Sequence, residues 1–175
     1  MSSLVISGDT SGTVTVTVPA VAGTNTVTIP ASTGTVMVSG NMPAFSAYMS
    51  AGQALTLNTN TKLAFNTKSY DTANAYDNVT NYRFTPQVAG YYQVNGCVQF
   101  GGVTDGYVVI YKNGAADKYG LLCAARSAYI ATISAQVYLN GSTDYLELYA
   151  LVTVSGTTAS GSALTYFQAS MVRAA

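Results

Sequence analysis

Side chains able to do acid, base or nucleophilic chemistry are scarce in this chain, and their spacing does not bring them together. Histidine is absent from all 175 residues. That removes the side chain that titrates nearest neutrality, the base of Ser-His-Asp and Cys-His arrangements, and the commonest metal ligand. Cys97 and Cys123 stand 26 positions apart, with no histidine to complete a four-ligand zinc site. The segment GGVTDG at 101–106 has glycines but lacks the Lys-Ser/Thr ending of a phosphate loop. Asp144 and Glu147 are the closest acidic pair, but three positions apart in a strand they point to opposite faces, which excludes a glycosidase-like dyad. Asp71, Asp77 and Asp105 are the candidate calcium ligands in expected loops. Calcium needs about six to eight oxygens with several carboxylates converging, so solvated turn aspartates are the commoner reading. The expectation is no catalytic site, no metal and no cofactor.

The elements that must position these residues are strands. Thr, Val, Tyr, Ser, Gly and Ala dominate, and glutamate occurs once, at Glu147. β-branched and aromatic runs between Gly- and Asn-rich turns indicate an all-β fold. Charged residues make up 8 % of the chain, and seven basic and seven acidic side chains cancel. No basic patch is available for phosphates, so nucleic acid is not an expected partner. A surface this neutral tends to associate, which points to burial in an assembly. No window approaches the ~18 uninterrupted apolar residues of a membrane span, and the first twelve residues, MSSLVISGDTSG, do not read as a signal peptide. Cys97 and Cys123 are expected as buried free thiols, in keeping with synthesis in a reducing cytoplasm. Asn78-Val79-Thr80 and Asn140-Gly141-Ser142 match the glycosylation sequon and are read as chance in a chain rich in Thr and Asn.

Residues 12–38 repeat. Gly12-Thr13, Gly23-Thr24 and Gly34-Thr35 recur every eleven positions, and GTVTVTVPA (12–20) and GTNTVTIPA (23–31) agree at seven of nine. Alternation of Thr with Val or Ile predicts strands with one apolar face, ended by Pro19 and Pro30 and turned at Gly23 and Gly34. Val14, Val16, Val18, Val27 and Ile29 form the apolar stripes, the candidate attachment residues. Three short strands cannot make an independent core, so residues 1–40 are expected to act as an attachment segment ahead of a domain at 41–175.

In that domain, strands are predicted from Phe45, Tyr48 and Met49 and then at 62–66, 80–86, 90–99, 106–112, 118–124, 129–139, 144–154 and 163–173. The separators carry turn chemistry: Asn113-Gly114, Asn140-Gly141 and the Ser/Gly/Thr run 155–162. Regularly spaced strands of this kind indicate a sandwich or jelly roll. Phe65, Asp71 and Tyr76 fit the pattern F-x5-D-x4-Y, and Phe84, Gly90 and Tyr92 fit F-x5-G-x-Y. Together they resemble the signature of the C1q-like domain over about residues 43–175. Seven residues separate Tyr76 from Phe84 where that family has six, and Val94 and Gly96 stand at its next two aromatic positions. The resemblance implies a ten-stranded antiparallel jelly roll of the C1q/TNF type that is homotrimeric and acts by binding. Gly90 is expected to hold a turn at positive φ, with Phe65, Phe84 and Tyr92 in the core. Fourteen tyrosines and no tryptophan suit subunit interfaces, and Tyr138, Tyr145, Tyr149 and Tyr166 are the candidates for a three-fold interface.

The Thr/Val/Gly-rich residues 4–40 resemble segments of tailed-bacteriophage structural and fibre proteins. Paired with a C1q-like domain, that implies a structural protein on the surface of a virion. The leading expectation is a trimeric capsid decoration, or cement, protein bound to the major capsid protein. The alternative is a short tail or head fibre, joined to a tail or fibre attachment protein, whose knob recognises a host-surface glycan or protein receptor. A cellular C1q-like lectin or adhesin is a more distant reading.

Overall fold

The computed structural model describes residues 3–28, 31, 33–34, 36–102, 105–121, 123–124 and 128–175. The chain divides into two compact units, Met1–Gly34 and Thr35–Ala175. The division falls earlier than the expected 40/41 because Met37 already packs against the core of the second unit.

The first unit is an antiparallel hairpin of β1 (Ser3–Ser7) and β2 (Thr13–Thr17), turning through Gly12 at φ 78°. Leu4 faces Val16 and Ile6 faces Val14, so four apolar side chains share one face of the ladder. β2 is the strand predicted from the first repeat. Its partner is the preceding SLVIS segment rather than the second repeat, and residues 23–28 and 36–38 form no strand. The second copy has Asn25 where the first has Val14, so its apolar stripe is shorter, and only the first has a neighbour across a tight turn.

The second unit begins with β3 (Ala44–Tyr48), β4 (Ala54–Leu55), β5 (Thr61–Lys62), β6 (Thr67–Asp71), β7 (Tyr76–Asp77), β8 (Arg83–Phe84) and β9 (Gly90–Gly101). It continues with β10 (Asp105–Lys112), β11 (Ala115–Tyr119), β12 (Cys123–Ala124), β13 (Ala128–Leu139), β14 (Leu146–Val152), β15 (Gly156–Thr158) and β16 (Thr165–Ala174). Among the described residues these form two seven-stranded antiparallel sheets. One runs β11-β10-β14-β8-β7, with β12 on β10 and β5 on β14; the other runs β4-β15-β9-β16-β3-β6, with β13 on β9. The expectation of ten strands is exceeded by two-residue ladders such as β5, β7 and β8, which the turns on either side cut short.

Alternation builds the core between the sheets. Tyr92, Val94, Val98 and Phe100 of β9, Phe167, Ala169 and Met171 of β16, and Leu146, Leu148, Ala150 and Val152 of β14 are all buried in it. The aromatic signature residues meet here. The Phe45 ring stacks on Tyr76 at 4.5 Å and on Phe84 at 4.6 Å, with Phe167 edge-on at 5.1 Å. Phe84 in turn meets Tyr92 edge-on at 5.5 Å. Tyr76 donates its hydroxyl to the Phe65 carbonyl at 3.3 Å, and Asp71 accepts the Ala75 and Tyr76 backbone N–H groups at 3.0 Å each. The spacing that defines the signature therefore closes one aromatic cluster and the loop that feeds it.

Several expectations are corrected. Gly90 opens β9 and is not among the positive-φ glycines; a side chain is excluded there by the backbone of β16. Gly96 faces inward, where a Cβ would lie 2.7 Å from Leu148 and 3.0 Å from Ile133, so these two side chains take the space of an aromatic. Residues 63–66, 80–82 and 85–86 leave the ladder, 80–82 following a turn around Asp77. The 118–124 strand is broken after Tyr119, where Gly120 donates to the Val108 carbonyl at 2.8 Å. Within 155–162, read as a separator, β15 pairs with β4 and β9. Asn113 and Gly114 both have positive φ, 54° and 78°, the type I′ turn expected of that dipeptide.

Candidate functional site

Because β13, β9, β16 and β3 are in register, their outward residues line up in rows across the sheet. One row is Tyr48, Tyr166, Cys97 and Thr132; the next is Ser46, Gln168, Asn95 and Ser134; the third is Ala44, Ser170, Gln93 and Gln136. No charged side chain occurs in these three rows. At their end Tyr91 and Tyr138 face each other across β9 and β13, with ring centroids 5.5 Å apart. Within the face, Gln93 donates to the Ser134 hydroxyl at 2.9 Å. Cys97 is buried and free, and burial pushes its thiol upward in pKa while a hydrogen bond from Tyr166 acts the other way. It lies on the outward side of β9 rather than in the core between the sheets. The side chain of Cys123 lies outside the described residues. The Gln99 side-chain oxygen is buried without a hydrogen-bond donor among the described residues. The margin itself carries charge: Arg173 is the partner of Tyr91 on β16, and Lys112 lies over the Tyr138 ring at 5.7 Å. The three uncharged rows inside that margin lose less on desolvation than a charged surface would.

The opposite sheet presents a different face. Tyr111 stacks on Tyr149 at 3.9 Å, and Tyr107 packs on Tyr119 at 5.8 Å. Val109, outward in the same strand, is fully buried although it is not part of the core between the sheets. Lys62 pairs with the buried Glu147 at 2.8 Å. Burial, with Glu147 as the next cause, pushes the Tyr149 phenol up to about 12. Of the four tyrosines expected at a three-fold interface, Tyr166 stands in the uncharged rows and Tyr138 at their margin, with the Lys112 ammonium over its ring. Tyr149 stands on the other sheet, and Tyr145 beside it carries the Arg83 guanidinium over its ring at 4.4 Å. The uncharged rows themselves were missed in the sequence, since neutrality of a face is visible only once the register is known.

The carboxylates singled out for chemistry are each held by protein donors. Asp144 pairs with Lys112 at 2.9 Å and accepts from Asn113 at 2.8 Å, which holds its carboxyl below the usual range. Asp71 pairs with Lys68 at 3.0 Å. Asp77 accepts the backbone N–H groups of Val79, Thr80 and Asn81, and these bonds, Thr80's first, hold it well below the carboxylate range. Asp105 accepts from the Thr153 hydroxyl. Among the described residues no three acidic or thiol groups converge as a metal site would require.

In the first unit, Val14, Val16 and Val18 are 66 %, 55 % and 55 % exposed, and Val27, outside any strand, is 90 % exposed. Ile29 lies outside the described residues. Leu4 and Ile6, missed in the sequence reading, add to the Val14–Val16 face and are also exposed; the alternation in SLVIS was the available signal.

No protein-family model matches the chain, and no curated protein matches it. Solved structures do. A TNF from S. frugiperda, Eiger, superposes with TM-score 0.60 at 9 % identity, over 77 % of this chain and 93 % of that one. The globular domain of zebrafish complement 1qA protein gives 0.58 at 13 % identity, over 76 % and 99 %. Murine APRIL gives 0.61 at 9 % identity, over 75 % and 99 %. At these identities the likeness is one of fold, and the chain has the C1q/TNF-type jelly-roll fold.

Proposed function

We propose that this chain works as a homotrimeric, non-catalytic structural protein on the surface of a tailed-bacteriophage particle, a decoration protein that clamps the major capsid protein. The observation that carries the assembly half of this reading is the uncharged face of β13, β9, β16 and β3. Three subunits closing around it would cover these polar rows and their tyrosine margins. The virion half rests on the Thr/Val/Gly repeat and on the exposed Leu4–Ile6–Val14–Val16 face, which a particle surface would cover. Each valine-sized side chain buried there contributes ~1.5–3 kcal/mol.

Light scattering of the full chain tests the trimer: the expected mass is three times 18.1 kDa, and a stable monomer at micromolar concentration refutes it. Asn95→Lys, placing charge in the middle row, should shift the trimer toward monomer. Attachment is tested with particles lacking the protein. A chain beginning at Thr35, which keeps Met37, should stay trimeric but fail to bind them; binding at native occupancy would refute the anchor. A second reading, a short fibre knob that recognises a host-surface receptor, is favoured by one feature, a polar cavity in the second unit.

A further inference from the structure

That cavity, of about 450 Å³, opens between β6 and the β7–β8 ladder. Its volume lies within the ~300–1,000 Å³ of small-ligand sites, and its wall is more polar than apolar, with Ala75 and Tyr76 supplying apolar surface among the charged and amide side chains. The charged groups in and beside it differ in how far they are spent. Lys68 is used by Asp71, by the Tyr76 carbonyl at 3.2 Å and by Asn74. Asp77 faces Arg83 across the ladder, yet turns its carboxylate into its own turn, where four donors hold it. Arg83 is thereby left without an ion pair or hydrogen bond among the described residues. Its guanidinium is fixed instead by stacking over the Tyr145 ring at 4.4 Å. An arginine held by its π face keeps its fork of N–H donors for a planar anion.

The amides of the wall are polarised the other way. Asn78 donates its NH₂ to the Asn66 carbonyl at 2.8 Å, Asn81 to Asp77 at 2.8 Å and Gln87 to the Thr85 carbonyl at 3.2 Å. Each amide oxygen is left without a protein donor among the described residues. One unpaired guanidinium and three amide acceptors call for a ligand that carries a carboxylate and several hydroxyl donors. The apolar surface of the wall is limited to what Ala75 and Tyr76 offer beside eight polar or charged residues, which suits one face of a sugar ring better than a lipid chain. We propose that this cavity is a binding site for an acidic sugar residue, with the carboxylate on Arg83 and hydroxyls on Asn78, Asn81 and Gln87. The proposal deepens the receptor-binding reading but needs only one chain, so it stands or falls apart from the trimer.

The test is an amide NMR titration of the full chain with methyl β-glucuronide and with a methyl sialoside, against neutral methyl β-glucoside and sodium acetate. At least one acidic glycoside should shift amides of Lys68 and residues 74–87 and bind about tenfold tighter than either control, the worth of one charge-assisted contact. Arg83→Gln should abolish that preference while core amides keep their dispersion. Gln87→Ala, at an exposed position, should weaken acidic and neutral glycosides alike and leave their ratio unchanged. Acetate binding as tightly as the acidic glycosides would mean an adventitious anion only and would overturn the proposal. So would shifts elsewhere, the absence of binding by both acidic probes, or a preference that survives Arg83→Gln. Gel filtration of the same samples reports the oligomeric state, so failure of the sugar site is distinguishable from failure of the trimer.

Discussion

Gly90→Val is the perturbation that best separates a demand of backbone conformation from one of close packing. A Cβ at Gly90 would lie 2.8 Å from Met171 Cε and 3.1 Å from Ala174 Cα, and closer still to the Arg173 carbonyl oxygen. The methionine can swing aside, but the carbonyl belongs to the backbone of β16, whose register against β9 shifts between Met171 and Arg173. To admit valine, β16 must part from β9 over Arg173 and Ala174, the partners of Tyr91 and Gly90. One or two ladder hydrogen bonds at about 1 kcal/mol each, together with overpacking of about 1–3 kcal/mol, give a loss of about 2–4 kcal/mol. For a chain of this size that lowers the thermal midpoint by roughly 5–15 °C. Circular dichroism melts measure the midpoint, and hydrogen exchange at residues 171–174 locates the damage. Gly101 is the internal control: it closes the same strand, lacks positive φ, and has nothing nearer than 3.6 Å to its would-be Cβ. Gly101→Val should melt close to the unmodified chain. If Gly90→Val melts with it and exchange at 171–174 is unchanged, close packing against β16 is not the reason for the glycine.

Phe45→Ala should cost ~3–5 kcal/mol by cavity formation, since the ring is fully buried and touches Tyr76, Phe84 and Phe167; a denaturant midpoint that does not move would refute the aromatic cluster. Alkaline absorbance titration should separate the tyrosines. Tyr149 should ionise near 12, and Tyr76 and Tyr92, pushed higher by burial, should ionise only as the chain unfolds. Because these raised values favour the neutral phenol in the fold, their contribution is present below ~10, the unfolded tyrosine value, and is lost as pH rises above it. Asp144 runs the other way: held low first by Asn113 and then by Lys112, it stabilises above the usual carboxylate range and stops doing so as pH falls through its folded value. Asp144→Asn should therefore destabilise at neutral pH, and its difference from the unmodified chain should close in acid; a constant gap down to low pH would contradict this.

The sequence by itself determined what depends on local chemistry. Alternation of large apolar and polar residues drew β9, β10, β13, β14 and β16 to within a few residues of their observed ends, and Asn113-Gly114 announced its turn because few other dipeptides accept two positive φ values. The lack of histidine and the sparse, scattered carboxylates were likewise legible. What depends on which strand lies beside which was not. The second Thr/Val repeat alternates over Thr26–Thr28 as the first does, yet its described residues 23–28 form no strand, whereas SLVIS does. Gly90 reads as a turn glycine until β16 is placed against it. Tyr138 and Tyr149 look alike along the chain but stand on opposite sheets, and the neutral rows of Gln, Asn, Ser and Thr exist only in the register of four strands distant in sequence. Arg83 looks like any surface arginine until the turn at 77–81 takes up the Asp77 carboxylate opposite it. Pattern along a strand is written in consecutive residues. Pattern across a sheet is written by long-range pairing, which only the tertiary structure decides.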